Sequence, residues 1–207
     1  MLCEVFKAGS LADCVALLAD RFDLVPQYSG LVEHRVEADH RDGAGFNSKS
    51  AAFIDFHNDA YDYPVVPEAI ALYCHSSASS GGETFFSDFD AAFDGLDADD
   101  RQRLSQSECR YFTKPAEFFG RSDLGVRATI RHDGMLRYSY GYLRDRIEDP
   151  ATAASLARLN ERLHGGKKEL RIEPGEALVL CNRTAVHGRN AFVGARALSR
   201  FWLRSKP

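Results

Sequence analysis

The feature that most constrains the fold is a series of short apolar segments separated by turns rich in glycine and proline. These segments are three to nine residues long, and none approaches the ~18 consecutive apolar residues of a membrane-spanning helix. Segments of this length are typical of β-strands, and turn signals at 132–134 and 173–176 predict a hairpin and a type II turn. The pattern predicts a mainly β protein, a sandwich or barrel with helical additions. The expected strands are 51–57, 69–75, 84–86, 126–131, 135–140, 177–181 and 196–204.

Other segments have helical rather than strand character. Residues 10–22 repeat apolar side chains at helical spacing, and Ser10 supplies a cap for the helix. Residues 150–164 show the same kind of stripe and are followed by two glycines, which end helices. Residues 88–107 carry six aspartates. This segment predicts a helical hairpin with acidic caps and a solvated face, because carboxylates stabilise helix starts without a bound cation.

The composition is that of a globular protein with a sizeable core. The chain has 207 residues, 44% of them hydrophobic, and a formal net charge of −4. This length suits one domain spanning 1–207, and the slightly acidic balance argues against nucleic acid as a partner. The first seven residues lack a signal-peptide layout, so we expect a cytoplasmic protein without membrane attachment, and self-association is left open. Five widely spaced cysteines, an odd number, predict reduced thiols rather than disulfides.

Three polar residues are candidate metal ligands. His57 and Asp59 form an H-x-D pair at the end of a predicted strand, where alternate side chains point the same way. His187 comes 130 positions later, just beyond another predicted strand. Two histidines and one carboxylate are the ligand set of non-haem Fe(II) oxygenases. Taken alone these residues leave a structural role for His57 open, because H-x-D pairs are common by chance.

Three further motifs stand downstream of the H-x-D pair in a fixed order. They are G-G-E-T ending at Thr84, N-R-T-A-V-H-G-R ending at Arg189, and R-A-L-S-R ending at Arg200. With this ordered set the sequence resembles the TauD/TfdA family of Fe(II)- and 2-oxoglutarate-dependent dioxygenases, from about residue 50 to 204. The resemblance implies a double-stranded β-helix, or jelly-roll barrel. It also implies use of O2 to hydroxylate or otherwise oxidise an unactivated C–H of a small amino-acid-like or carboxylate substrate, with release of succinate and CO2.

The resemblance also implies roles for individual residues. His57, Asp59 and His187 match the iron ligands. Thr84 matches the threonine that supports the co-substrate, and Arg196 matches the arginine that pairs with the distal carboxylate of 2-oxoglutarate. The last assignment is physically reasonable because a guanidinium holds a carboxylate through two parallel hydrogen bonds.

The substrate pocket is expected to involve Arg200, Tyr61 and Tyr138. Arg200 would share one face of the last strand with Arg196 and with apolar side chains, as expected inside the mouth of a polar barrel. Tyr138 belongs to an alternating run of tyrosines, for which a pocket lining and an aromatic face packed in the core both remain open.

Supporting roles are expected for three more residues. Arg189 is part of the histidine motif, and one interpretation is that it braces the metal loop. Asn182 and Ser87 are candidates for hydrogen-bonding partners that orient the metal ligands.

Two alternatives to an amino-acid dioxygenase remain. One is a γ-butyrobetaine-like oxygenase for a trimethylammonium substrate, favoured by the tyrosines and by the G-E-T-F-F segment. The other is a catalytically silent barrel that binds a carboxylate metabolite.

Overall fold

A computed structural model describes residues 2–37, 50–112 and 125–206, and within them the chain consists mainly of short antiparallel strands. The prediction of a mainly β protein is therefore confirmed. In chain order the strands are β1 (Cys3–Lys7), β2 (Phe22–Val25), β3 (Glu33–Glu37), β4 (Ile54–His57), β5 (Ala69–Ser76), β6 (Ser80–Gly81), β7 (Thr84–Asp88), β8 (Cys109–Phe112), β9 (Gly125–Ala128), β10 (Arg131–His132), β11 (Met135–Leu136), β12 (Lys168–Leu170), β13 (Glu176–Cys181), β14 (Ala185–Arg189), β15 (Phe192–Val193) and β16 (Ala197–Ser205).

Helices lie between these strands, and most begin at a side-chain cap. Ser10, Asp88, Asp97 and Asp149 each accept a hydrogen bond from a backbone N–H in the first helical turn. This satisfies donors that the helix itself cannot pair. The helices predicted at 10–22, 88–107 and 150–164 are thereby confirmed. Their bounds are α1 (Leu11–Arg21), α2 (Phe89–Asp94), α3 (Ala98–Gln106), α4 (Tyr140–Arg144) and α5 (Pro150–Gly165).

Two larger sheets organise the chain. One has the strand order β1-β13-β5-β16-β2, with β3 also paired to β16, and the other has the order β12-β7-β14-β4. Both are antiparallel throughout. The last strand, β16, lies between β5 on one side and both β2 and β3 on the other. Segments that are distant along the chain therefore meet around β16.

The core forms layers on both faces of each sheet. Ile70, Leu178 and Trp202 of the larger sheet cluster with Phe86 of the smaller one. The other face of the larger sheet packs against α1, whose Leu18 is fully buried. The other face of the smaller sheet packs against the remaining helices. Because strand side chains alternate between faces, each central strand contributes to two of these layers.

The predicted strands and turns are largely confirmed. Glu176 N donates to the Glu173 carbonyl at 2.9 Å, and Gly175 has φ of +83°, as a type II turn requires. The segment 29–50, predicted as loop or edge structure, contains edge strand β3, and its residues 38–49 lie outside the described ranges. The predicted strands confirmed with shifted bounds are 51–57 as β4, 69–75 as β5, 84–86 as β7, 126–131 as β9, 177–181 as β13 and 196–204 as β16.

The strand predicted at 135–140 is wrong beyond its first residues. The hairpin turn is present, with Asp133 and Gly134 at positive φ between β10 and β11. However, β11 ends at Leu136, and the chain then enters α4. The hydrogen bond from Arg137 N to the Ile130 carbonyl still continues the hairpin, but the bond from Leu143 N to the Ser139 carbonyl already belongs to the first turn of α4. The alternating tyrosines therefore do not share one strand face.

Two further expectations concern the cysteines and membrane attachment. All five cysteines are unpaired, as predicted. Among the described residues, no helix is both long enough and apolar enough to cross a membrane.

Candidate metal centre

The two candidate histidine ligands are neighbours across a pair of antiparallel strands. His57 is the last residue of β4, and His187 lies in the middle of β14. Their Cα atoms are direct partners in the strand register, an arrangement that brings side chains on the same face into contact. The ring centroids are 4.5 Å apart. The sheet register therefore joins two residues that are 130 positions apart in the sequence.

Asp59 completes the cluster from the turn that follows β4. Its Oδ1 atom lies 3.9 Å from His57 Nε2 and 3.7 Å from His187 Nε2. One ligand atom from each of the three residues lies within 4.8 Å of the others. Since β4 ends at His57, the direction of Asp59 does not come from strand alternation alone.

Two asparagines hold the backbone around Asp59. Asp59 N donates to Asn182 Oδ1 at 2.8 Å, and Asn182 Nδ2 donates back to the Asp59 carbonyl at 2.9 Å. Asn58, which lies between the two ligands, donates to the Leu136 carbonyl at 2.9 Å and accepts from Tyr138 N at 2.7 Å. Asn182 thus occupies the orienting position suggested by the sequence, whereas the role of Asn58 was not predicted.

The outer oxygen of Asp59 is taken by two donors from β16. Trp202 Nε1 donates to Asp59 Oδ2 at 3.2 Å, and Arg200 Nη1 lies 3.1 Å from the same atom. Burial raises the pKa of the Asp59 carboxyl, but Arg200, the two histidines and the Trp202 hydrogen bond together outweigh it, and the pKa lies below its ordinary value. Asp59 is therefore ionised at neutral pH, with Oδ1 facing the histidines.

Both histidines are held in the neutral form that binds metals. Burial lowers the pKa of His187 to about 3, with a further contribution from His57. Burial also lowers the pKa of His57. His57 Nδ1 lies 2.9 Å from the Asp55 carbonyl. This contact places the imidazole proton on Nδ1 and leaves Nε2 as an acceptor. Two neutral imidazoles and one carboxylate are a donor set that fits Fe(II).

Of the predicted co-substrate residues, Thr84 lies on the strand next to the one that carries His187, and Arg196 lies just before the strand that carries Arg200. Thr84 is buried at the start of β7 and pairs in register with Arg189 of β14. Arg196 is 8% exposed, and among the described residues it makes neither a hydrogen bond nor an ion pair. Its guanidinium lies 5.8 Å from the centroid of the Phe192 ring. Burial lowers the Arg196 pKa to about 10, so it remains charged at neutral pH.

Arg189 is also buried, but it has protein partners. Its Nη2 donates to the Ala52 carbonyl at 2.7 Å and to the Ser50 carbonyl, and its guanidinium covers the Phe192 ring at 4.7 Å. These contacts brace the segment that leads into β4, in line with the suggested bracing role. Ser87 lies on the opposite face of β7 from Thr84. There it lines a cavity of about 440 Å³ together with Arg162 and Gly166.

The predicted substrate residues are in three different settings. Arg200 is in the cluster, as described above. Tyr61 is half-buried and packs against Tyr111 and Tyr142 at centroid distances of 6.0 and 5.5 Å. Tyr138 is 0% exposed.

Tyr138 has a packing role. Its hydroxyl donates to Asn160 Oδ1 at 3.1 Å, and its ring packs on Phe89. It therefore does not line the cluster, and the core role that the sequence left open is the one its position supports.

Two residues near the cluster were missed from the sequence. Gln27 accepts from Arg200 Nε at 3.0 Å and donates to the Arg200 carbonyl at 2.7 Å. Arg137 donates to the carbonyls of Tyr61, Tyr63 and Pro64 at 2.9, 2.6 and 3.1 Å. Every residue type carries the same backbone carbonyl, so no sequence motif predicts which carbonyls these side chains contact.

The fold and site together define a mainly β protein with a largely buried two-histidine, one-carboxylate cluster and a buried arginine that has no hydrogen bond or ion pair with a described residue. The model of the taurine catabolism dioxygenase TauD, TfdA family matches residues 10–203. The chain therefore belongs to the TauD/TfdA family. No curated protein matches it.

Solved structures of three kinds of oxygenase share the fold. Asparagine oxygenase in complex with Fe(II), 2S,3S-3-hydroxyasparagine and succinate has a TM-score of 0.74 at 19% identity, covering 96% of this chain and 66% of that one. PvcB from Pseudomonas aeruginosa has a TM-score of 0.68 at 19% identity, with coverages of 98% and 76%. OrfP in complex with Fe, succinate and (3R,4R)-dihydroxy-L-Arg has a TM-score of 0.67 at 17% identity, with coverages of 95% and 65%. This chain thus spans about two thirds of the first and third of these proteins.

Proposed function

We propose that this protein is an Fe(II)- and 2-oxoglutarate-dependent dioxygenase. It would hydroxylate or otherwise oxidise an unactivated C–H bond of a small amino-acid-like or carboxylate metabolite. The observation that carries the proposal is the pairing of two features. The ligand atoms of His57, Asp59 and His187 converge within 4.8 Å, and Arg196 lies buried without a described anionic partner.

The chain's own residues would hold both reactive groups. His57, Asp59 and His187 would bind the iron through Nε2, Oδ1 and Nε2, the atoms that face one another. When bound, iron and 2-oxoglutarate supply the activation of O2 for C–H oxidation, with release of succinate and CO2. The protein's contribution is to orient the reactants and to exclude water around them.

Arg196 and Thr84 are the proposed holders of the co-substrate. A buried guanidinium without a counter-ion is costly, and a carboxylate that binds it through two hydrogen bonds relieves that cost. The Thr84 hydroxyl would add a further hydrogen bond. A dicarboxylate such as 2-oxoglutarate can bind Arg196 at one end and reach the metal at the other.

Arg200 and Tyr61 are the proposed substrate residues. Arg200 places a positive charge against the metal cluster, which favours a substrate with an anionic group nearby. Asparagine oxygenase and OrfP were solved with hydroxylated asparagine and arginine products. An amino-acid-like substrate agrees both with the charge of Arg200 and with the products in these two structures. Tyr138 is not part of the proposed site.

Further features belong to the same proposal. The two larger sheets would form the double-stranded β-helix of this family, and residues 1–207 would act as one domain. We also propose a cytoplasmic location, with small molecules and O2 rather than nucleic acid or membranes as partners. Homo-oligomer formation is left open.

No structural observation favours the trimethylammonium alternative. Phe85 and Tyr138, two of the aromatic residues that suggested it, belong to the core cluster beside the helices. Phe86 belongs to the cluster between the two larger sheets. A silent barrel would bind 2-oxoglutarate without catalysing a reaction. The experiments that follow distinguish it from the proposed dioxygenase.

The first test is anaerobic visible spectroscopy of the protein with Fe(II) and 2-oxoglutarate. Chelation of a 2-oxo acid to iron produces a weak charge-transfer band, which we expect in the native protein. His187→Ala should abolish the band, and Arg196→Ala should require far more 2-oxoglutarate to produce it. Arg204→Ala, at an exposed arginine on the strand that follows Arg196, is the matched control and should behave as the native protein does. Absence of the band in the native protein at all co-substrate concentrations would overturn the assignment.

The second test is succinate release in air with a panel of L-amino acids and related carboxylates. We expect one member of the panel to stimulate release, and His187→Ala to abolish the stimulation. Binding of 2-oxoglutarate without any stimulated turnover across the panel would favour the silent barrel.

A further inference from the structure

Trp202 is the only tryptophan in the chain, and it lies directly behind a candidate metal ligand. Its side chain is 1% exposed and packs in the core between the two larger sheets. The indole Nε1–H donates to Asp59 Oδ2 at 3.2 Å, across 143 positions of sequence. A buried indole N–H requires an acceptor, and here the acceptor is the oxygen of Asp59 that faces away from the histidines.

The indole ring is held in place by aromatic contacts from two loops. Tyr28 meets it edge-on at a centroid distance of 4.8 Å, and Tyr63 lies at 5.7 Å. The two tyrosines contact each other at 5.5 Å. Tyr28 also donates to Asp62 Oδ1 at 2.8 Å, which ties this cluster to the turn that carries Asp59. The donor and its acceptor are therefore fixed by the same set of contacts.

The two oxygens of Asp59 have different surroundings as a result. Oδ2 receives the indole N–H and lies 3.1 Å from Arg200 Nη1. Oδ1 faces the two histidine Nε2 atoms at 3.9 and 3.7 Å. The two donors at Oδ2 fix the orientation of the carboxylate, so that its other oxygen is held facing the metal position.

We infer that Trp202 is a positioning residue for Asp59, holding Oδ2 so that Oδ1 is presented to the metal. This inference rests on the metal site of the proposed function. A single tryptophan bonded to a ligand also makes the indole a reporter of metal occupancy. Excitation moves electron density from the pyrrole ring to the benzene ring, so a carboxylate beside the N–H stabilises the excited state. Metal binding at Asp59 withdraws that charge and should shift the emission to shorter wavelength.

The test uses Zn(II), a redox-inert probe, with calorimetry and intrinsic fluorescence as readouts. Trp202→Phe keeps most of the buried ring but removes the N–H, and it should weaken Zn(II) binding about tenfold, as loss of an outer hydrogen bond to a ligand does. Phe201→Leu is the matched control, because Phe201 is equally buried on the opposite face of β16. It should reduce stability without changing Zn(II) affinity. Both variants are also followed by thermal unfolding.

The outcomes separate this inference from the proposed function. In the native protein, Zn(II) should shift the emission to shorter wavelength with the stoichiometry found by calorimetry, and His187→Ala should abolish the shift. This measurement does not depend on the folding of Trp202→Phe. The positioning role alone would be overturned if Trp202→Phe bound Zn(II) as tightly as the native protein does. It would also be overturned if the native protein bound Zn(II) tightly while its emission stayed unchanged. Failure of the native protein to bind Zn(II) would overturn the metal site and this role together.

Discussion

The metal end and the co-substrate end of the site are built in opposite ways. At the metal end, Oδ2 of Asp59 and both groups of its peptide have partners within the protein, and Oδ1 faces the two histidines. At the co-substrate end, Arg196 is buried but has no hydrogen bond or ion pair with any described residue. The comparison indicates that the protein assembles the metal ligands in advance. It also indicates that Arg196 is left without a hydrogen-bond or ion-pair partner among the described residues, as a site for an anionic ligand requires.

Two buried arginines make the same contrast. Arg137, next to the metal end, is 2% exposed and donates to three backbone carbonyls. Arg196 is 8% exposed and donates to no carbonyl of a described residue. An arginine whose hydrogen-bond acceptors lie within the protein stabilises the loop that carries them. A buried arginine without such acceptors destabilises the ligand-free protein, and its hydrogen bonds form only when a ligand binds.

The largest expected effect comes from removing the unpaired cation. Arg196→Met should weaken 2-oxoglutarate binding by about 100-fold, or about 3 kcal/mol, because a desolvated carboxylate would lose its partner. Thermal stability should stay the same or rise, since a buried unpaired charge is removed. Co-substrate titration and thermal unfolding measure the two effects. A large loss of stability in Arg196→Met would contradict the contrast, and Arg204→Met is the exposed control.

The next largest effect is expected at Arg137, whose two Nη atoms donate to three carbonyls while its buried Nε has no partner among the described residues. Arg137→Met should lower the free energy of unfolding by about 2 kcal/mol, because three carbonyls lose a charged donor. Zn(II) affinity should fall several-fold, since the loop after Asp59 loosens. Once metal is saturating, 2-oxoglutarate affinity should be unchanged. Denaturant unfolding and calorimetry provide the measurements. Arg144→Met, at an exposed arginine, should change neither property.

A smaller effect is expected from crowding Arg196 without removing it. A Cβ at Gly82 would lie 3.2 Å from Arg196 Cδ and 3.3 Å from its Nε, at a φ of +78°. Gly82→Ala should therefore cost about 1 kcal/mol in stability through the backbone and weaken 2-oxoglutarate binding a few-fold. Gly134 has a similar φ of +72° with nothing nearby. Gly134→Ala should show the stability loss alone, and an equal loss of co-substrate affinity in both variants would refute the role of crowding.

The smallest effect on the site is expected from an ion pair in the helical layer. Hydrogen bonds from Arg158 and Ser155 lower the pKa of Asp100 from its ordinary 3.8 to about 2. A lowered folded-state pKa contributes stability above the ordinary pKa, and this contribution is lost as pH falls from 3.8 towards 2. Asp100→Asn should reduce stability at neutral pH and flatten its acid dependence. Binding of both Zn(II) and 2-oxoglutarate should not change, and a change in either would show that the helical layer is coupled to the site.

The strand and helix pattern was largely predictable because it depends on local periodicity and capping. The exception, 135–140, has suitable alternation, but the chain enters α4 at Tyr140, where Leu143 N donates to the Ser139 carbonyl. Residue types alone carry no record of such bonds. The order of the motifs likewise indicated the metal-ligand set and the co-substrate arginine before any geometry was known.

By itself, the sequence determined the strand-rich class, the capped helices and the family resemblance that pointed to His57, Asp59, His187 and Arg196. The tertiary structure decided how those residues are presented. It placed the Trp202 N–H on Asp59 and gave Arg137 three carbonyl acceptors, and it left Arg196 with none in the described chain. The physical reason is that burial and hydrogen-bond satisfaction depend on partners far away in sequence, and many of those partners are backbone groups that every residue carries.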